Sequence, residues 1–501
     1  MHSHIEDLPY NRSMSKTEKN RLIVALSLAM FLAAIEGTIV TLAIPTIVKD
    51  LRGFDLISHV FSVYLLTSAI ATPVYGKLSD LYGRKKTLLV GIMIFILGSA
   101  LCGFSQSMAM LIAFRAVQGL GAGSVFTVPM TIVGDIFPLN ERGKIQGALS
   151  MVWGIAGLIG PFLGGLLIDF LSWHWIFFIN LPLGILTIFI IQINFNESIT
   201  KMRHKIDFLG IALLSLGMVS FLGIFVLAGD TGLVPSTQNA ALLVIAVAAI
   251  GLFYFVEKRA AEPLIPFEVF TKSSIFVNII AMMFTAVLLG VDVYTPIYLQ
   301  NIKGFGPLVA GLTLLPMTVT WTLASIPIGK LILRFGGKHV TLVGVVISLL
   351  AVLPLLVVTQ GTGLVFVIVM ILAMGTGFGA GLTAQTMLIQ ESVGFEKRGV
   401  AVATNSLLRT LGQTIGICVF GAVFNSTIVQ GFDRAGIESY DLGNLYDLSS
   451  YGADVSWDRI VDVLSSAIHA VALVFVCLVI ASILLAALMP RPPISGQADK
   501  P

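Results

Sequence analysis

The sequence predicts an all-α membrane protein with fourteen transmembrane helices: two six-helix bundles with a two-helix insertion between them. Three observations predict it: an apolar composition, fourteen apolar windows of bilayer-spanning length, and a short pattern that recurs between the two halves.

Of the 501 residues, 56% are hydrophobic and 11% charged, and the mean hydropathy is +0.95. A soluble domain carries about 25% charged residues, so water is not this chain's main solvent. A net charge of +3, without a long basic run, gives no footprint for nucleic acid. Cys102, Cys418 and Cys477 lie inside apolar runs, with neither CxxC spacing nor adjacent histidines, and predict no disulfide and no metal site. The first twenty residues are polar and lack the short apolar core of a cleavable signal peptide.

A helix needs about 20 apolar residues to cross a bilayer. Windows of that length fall near 22–46, 60–78, 87–105, 108–132, 144–168 and 175–194, the first bundle (22–194). Two more, near 209–229 and 239–256, form the insertion (209–256). Six others, near 275–299, 308–333, 339–358, 364–388, 400–427 and 465–489, form the second bundle (275–489). Residues 1–21 and 490–501 are the expected cytoplasmic ends. With the N-terminus inside, 23 lysines and arginines fall on cytoplasmic segments and 5 on outer ones. That bias orients a multi-pass protein of the cytoplasmic membrane with both termini cytoplasmic. The stretch 428–463 carries seven acidic residues against two arginines. It reads as a solvated outer loop, with a cation-attracting vestibule as the alternative.

Gly76-Lys77-Leu78 with Gly83 and Lys85 recurs 253 residues later as Gly329-Lys330-Leu331 with Gly336 and Lys338. Glu141-Arg142-Gly143 has an echo in Lys397-Arg398-Gly399. Two such halves, with the substrate between them, are a common transporter plan.

The segment from Gly76 to Lys86, GKLSDLYGRKK, resembles the signature loop of the major facilitator superfamily. Trp173-His174-Trp175-Ile176-Phe177-Phe178-Ile179-Asn180-Leu181-Pro182-Leu183-Gly184 and Tyr294-Thr295-Pro296-Ile297-Tyr298-Leu299-Gln300 are similar to segments of fourteen-helix drug:proton antiporters of the QacA/EmrB type. The resemblance implies a conformational latch. In it Gly76 and Gly83 permit close backbone packing, Asp80 faces a helix start, and Arg84 pairs with an acid, for which Asp135 is the candidate. It also implies an antiporter helix in the fifth span, with Gly147, Gly154, Gly160, Pro161, Gly164 and Gly165. Small residues let helices approach and Pro161 weakens a backbone bond. Ala156 stands where the pattern has glycine.

Charges inside spans are costly and usually functional. Glu36 lies roughly 21 Å from the cytoplasmic end of its span and Arg115 roughly 10 Å from the outer end of its own. In a core about 30 Å thick these depths nearly coincide, so the two are expected to pair. The family usually has aspartate at the Glu36 position. Burial raises a carboxyl pKa and a neighbouring cation lowers it, which suits reversible proton loading. Asp292, nearer the outer mouth, is a second proton or cation candidate, and Arg409 either lines the cavity or packs between helices.

No HExxH or GxSxG motif appears and the seven histidines are scattered, so no enzyme is predicted. No nucleotide site is visible and no cofactor is expected. The glycine run Gly375, Gly377, Gly379 and Gly381 lies in an apolar span and reads as a packing seam rather than a phosphate loop. The expected function is proton-coupled export of lipophilic, cationic compounds by a monomer, with or without an accessory protein. An uptake carrier, or an exporter of one metabolite or lipid-like compound, is the alternative.

Overall fold

The computed structural model describes residues 16–137, 139–195, 197, 208–231, 237–260, 267–393, 398–434 and 457–490. Among the described residues there are helices and turns and no strand. A chain this apolar satisfies its backbone within each segment, as a lipid environment demands. Among the described residues, thirteen helical stretches are long and apolar enough to cross a bilayer, and Leu209–Phe221 is a shorter apolar one.

The first seven helices are α1 (Lys16–Leu51), α2 (Ile57–Tyr82), α3 (Arg84–Gly103), α4 (Met108–Ile136), α5 (Leu139–Phe170), α6 (Trp175–Phe178) and α7 (Asn180–Asn194). Next come α8 (Phe208–Thr231) and α9 (Thr237–Glu257). The remainder are α10 (Lys272–Ile297), α11 (Pro307–Ser325), α12 (Ile328–Phe335), α13 (Gly337–Val352), α14 (Leu364–Glu391), α15 (Arg398–Arg434) and α16 (Trp457–Leu488). Local chemistry marks several starts. The Ser107 side chain accepts from the Met110 N–H to cap α4, Thr271 does the same for Ser274 in α10, and Pro307 opens α11.

Several boundaries differ from the sequence expectation. The window 308–333 is interrupted before Pro327 into α11 and α12, and the window 175–194 is interrupted at Ile179 into α6 and α7. Proline lacks the N–H that a continuous helix needs: Pro327 stands at the first interruption, and Pro182 follows the second by three residues. The expected outer loop 428–463 is helical at both ends, because α15 runs to Arg434 and α16 begins at Trp457; residues 435–456 lie outside the described residues. Helix α1 begins at Lys16, inside the segment expected to precede the first span, and residues 491–501 lie outside the described residues.

Helices α1–α7 pack among themselves, as do α10–α16, and α8 pairs with α9 while lying on α2 and α15. The two sets meet along α5 with α11 and α2 with α15. The end of the molecule where α1 begins is called basal here, and the opposite end distal. One buried apolar core joins both sets at the distal end, including Ile39, Phe54, Phe61, Tyr294, Tyr298 and Phe424. Basally the cores are separate: one is confined to α1–α7, with Leu22, Leu88 and Ile132, and another, with Val277, Leu388 and Ala401, to the second set.

Polar contacts reinforce the distal closure. Gln300 Nε2 donates to the Leu42 carbonyl at 2.9 Å, and Asn425 Nδ2 to the Asp55 carbonyl at 2.8 Å. Gln300 sits in a π-turn, Tyr298–Ile302, that ends α10 just after Pro296. Such turns appear often at functional positions.

Candidate functional site

Glu36 and Arg115 meet. Arg115 Nη1 lies 2.6 Å from Glu36 Oε1, and both side chains are almost wholly buried, at 2% and 0% exposure. The same Nη1 donates to Gln118 Oε1 at 2.8 Å, and Nε donates to the Val60 carbonyl at 3.3 Å. The guanidinium carbon stands 4.0 Å from the centre of the Tyr64 ring, a cation–π contact. On the other side of the carboxylate, Asn180 Nδ2 donates to Glu36 Oε2 and, at 3.0 Å, to Ser99 Oγ. Ser99 Oγ in turn donates to the Phe177 carbonyl at 2.9 Å.

Six helices therefore supply one buried network: α1 gives Glu36, α2 Tyr64 and the Val60 carbonyl, α3 Ser99, α4 Arg115 and Gln118, α6 the Phe177 carbonyl, and α7 Asn180. Helix periodicity explains the Arg115–Gln118 contact, since residues three apart share a face. Interhelical hydrogen bonds of this kind join helices in lipid, where apolar burial does not distinguish one neighbour from another.

The arrangement has a chemical consequence. Isolated buried charges are costly, and a buried pair tolerates loss of one charge only where the other keeps partners. Arg115 has such partners in Gln118 Oε1, the Val60 carbonyl and the Tyr64 face, all neutral. A proton arriving on Glu36 would thus not strand the guanidinium. Gln118 Nε2, Asn180 Oδ1 and the Tyr64 hydroxyl are buried without partners, so acceptor and donor capacity remains beside the pair.

Asp292 is not part of this network. It lies on α10 near its distal end, partly exposed, and among the described residues no hydrogen bond or ion pair of its side chain is found.

The segment expected to form a latch is described in part. Gly83 joins α2 to α3 at φ +96°, and a Cβ there would lie 2.8 Å from Glu197 Oε2. Glycine is required by both. The Glu197 carboxylate accepts from the Arg84 and Lys85 backbone N–H groups at 2.6 and 2.8 Å, capping the N-terminus of α3. Arg84 Nη1 also donates to Ser79 Oγ. Gly76, expected at a close backbone approach, has nothing within 4 Å of where a Cβ would stand. It is a helical residue about two turns before the constriction at Gly83. The Asp80 and Asp135 side chains, and so the expected Arg84–Asp135 pair, lie outside the described residues.

In α5, Gly160 packs against Thr38 and Gly164 against Ile39 of α1, while Gly165 packs against the Leu308 backbone of α11. Pro161 lies among them, and a Cβ on Gly311 would meet its carbonyl oxygen. Gly154 has only an ordinary contact, 3.6 Å from Thr322 Oγ1 to a would-be Cβ, so it is not a tight point. The side-chain surroundings of Gly147 lie outside the described residues. The tight part of the helix is therefore its distal half, where it seals against α1 and α11.

Gln118, Asn180, Ser99, Tyr64 and Glu197 were not singled out by the sequence. Asn180 had a signal, a lone amide within the apolar run from Trp175 to Leu183.

The Major Facilitator Superfamily profile matches residues 26–417. Multidrug resistance protein 3 of Bacillus subtilis is 32% identical over 463 residues, covering 89% of this chain and 90% of its own. Multidrug transporter protein MdtP of the same organism is 33% identical, over 82% of this chain and 76% of its own. Among solved structures, a bacterial homologue of the human lysosomal transporter Spinster, in an inward-facing and unoccupied conformation, superposes with a TM-score of 0.70. It is 15% identical and covers 96% of this chain and 100% of its own. A D-xylose–proton symporter superposes at 0.64, with 12% identity, over 95% of this chain and 98% of its own. These two likenesses concern the fold. Multiple apolar helices, a buried intramembrane charge pair and a profile match over most of the length lead to one conclusion: this multi-pass membrane chain is a transporter, not an enzyme, and belongs to the major facilitator superfamily.

Proposed function

We propose that this chain exports lipophilic compounds, cations among them, across the cytoplasmic membrane in exchange for protons. The observation that carries the reading is the Glu36–Arg115 pair held by Asn180 and Gln118. It is a titratable carboxylate buried within the membrane whose partner cation keeps neutral acceptors when a proton arrives. The names of the relatives, a multidrug resistance protein and a multidrug transporter, support drug export.

In this reading the fold is two six-helix bundles with α8 and α9 inserted between them, fourteen spans in all, and the basal end is cytoplasmic. The joined distal core and the separate basal cores then describe a chain open to the cytoplasm. Substrate enters basally between the bundles. Re-closure at the basal end and parting of α5 from α11 would expose it distally, with Gly83, Arg84 and Glu197 bracing the basal turn between α2 and α3 and with the Asp80–Arg84–Asp135 latch engaging there. Proton entry to Glu36 accompanies the return. Asp292, partly exposed on α10, is assigned a secondary proton or cation role.

The test is dye accumulation. Cells expressing the chain accumulate less ethidium than controls, and a protonophore abolishes the difference. Higher accumulation that collapses with the gradient would point to uptake instead and overturn the export direction.

A further inference from the structure

Arg409 is the other intramembrane guanidinium, and its surroundings differ from those of Arg115. It lies eleven residues into α15, roughly 17 Å from the Arg398 end, close to the middle of a core about 30 Å thick. A charge there is expensive to keep without a function or a counter-charge. Arg115 has Glu36. Arg409 has two neutral acceptors on α14: one of its terminal nitrogens, Nη2, donates to the Leu382 carbonyl at 3.1 Å and to Thr386 Oγ1 at 3.0 Å. Its Nε is buried with no acceptor, and no carboxylate pairs with it among the described residues. On α14, next to Thr386, the fully buried Gln385 leaves both its amide oxygen and its amide nitrogen unpartnered. Unmet buried polar atoms are rare in folded proteins and call for an explanation.

The internal repeat indicates where this group sits. Glu141 and Lys397 are 256 residues apart, and the same offset carries Gly119, Gly121 and Gly123 of α4 onto Gly375, Gly377 and Gly379 of α14. It also carries Phe126 onto Leu382 and Trp153 onto Arg409. In the first half Phe126 and Trp153 stack where α4 meets α5, with ring centres 5.6 Å apart and planes at 14°. Trp153 is 44% exposed. In the second half Arg409 of α15 reaches Leu382 of α14 at the equivalent crossing. Transporters built from such repeats place substrate between the halves. The equivalent positions of the two halves thus carry an indole in one and a guanidinium without a carboxylate partner among the described residues in the other.

The geometry points to Arg409 as the anchor for an anionic substrate head: the cavity takes lipophilic aromatic acids, carboxylates or sulfonates, as well as cations. The acid's oxygens meet the Nε side of the guanidinium, where a planar fork suits a carboxylate. The ring lies toward Trp153. This deepens, and rests on, the export reading.

The test uses one ring with three heads: pyrenebutyrate, pyrenebutanol and pyrenebutylamine. Their binding to the purified full-length chain in nanodiscs is measured by fluorescence against empty nanodiscs at neutral pH. Ethidium efflux of the wild type is followed in parallel in proteoliposomes. Wild type is expected to bind the butyrate about tenfold or more tightly than the alcohol, the range of a charge-assisted hydrogen bond. Arg409→Gln should bring that ratio to about one, and Arg409→Lys should leave an intermediate ratio. Butanol binding reports the integrity of each variant; if Arg409→Gln does not fold, the wild-type and Arg409→Lys ratios decide. A wild-type ratio near one, with ethidium efflux intact, overturns the anion anchor and leaves export standing. A wild-type preference that survives in folded Arg409→Gln also overturns it. The tenfold preference without any ethidium efflux supports the anchor and sinks export.

Discussion

The Glu36–Arg115 pair should behave as a strongly coupled unit in a double-mutant cycle on stability. In Glu36→Gln the side-chain amide has one oxygen where the carboxylate had two. Arg115 Nη1 and Asn180 Nδ2, which donate to separate carboxylate oxygens, then cannot both keep an acceptor. Breaking a buried pair by removing one partner costs about 3–5 kcal/mol. The neutral acceptors of Arg115 hold this variant near the lower figure, about 3 kcal/mol. Arg115→Met leaves the carboxylate with Asn180 as its remaining donor and falls nearer the upper figure, about 4–5 kcal/mol. The double variant removes both charges, so its loss should be smaller than the sum by about 2–3 kcal/mol, the coupling typical of residues in one network. Unfolding of the purified chain in mixed micelles, titrated with a denaturing detergent, measures all four corners. Losses that add within about 0.5 kcal/mol, the behaviour of independent sites, would refute the pairing and the argument built on it.

Other consequences are checked more simply. Gly83→Ala should lower stability by about 1–3 kcal/mol, because φ +96° strains any residue with a Cβ and Glu197 occupies its space; an unchanged melting temperature would contradict the turn. Gly165→Leu forces α5 from the Leu308 backbone at an overpacking cost of about 1–3 kcal/mol. It should cut efflux about tenfold and expose a cysteine placed at Gln300 to an impermeant maleimide, and unchanged labelling would argue against the distal seal. Reporter fusions after Lys205 and after Lys272 should both read as cytoplasmic; an external reading of either breaks the fourteen-span topology.

What could be read from the sequence was set by the cost of charge in lipid. Glu36 and Arg115 stand out because each interrupts a long apolar run, and helix rise alone put them at one depth. Asn180, Gln118, Ser99 and Tyr64 do not stand out. Neutral polar residues are cheap enough in a bundle interior to occur there for packing, so only the contacts reveal which ones hold the pair. Spans were visible as hydropathy, but their interruptions were not. A window average spreads over Ile179 and Pro327, where the backbone actually breaks. The glycines show the same limit: Gly83 and Gly165 are sterically required and Gly76 and Gly154 are not, although spacing treats all four alike. Glu197 was hidden in a polar connection, where nothing in composition marks a helix cap formed with residues more than a hundred positions earlier.

The central claim is that Glu36 carries the coupled proton, and proton movement itself tests it most directly. Proteoliposomes containing the purified chain and a trapped pH-sensitive dye receive an outward ethidium gradient with no imposed pH difference. Wild-type chains should move protons against the ethidium flux, Glu36→Asp should retain this, and Glu36→Gln should show none above empty liposomes. Proton movement by Glu36→Gln equal to that of the wild type would contradict the account.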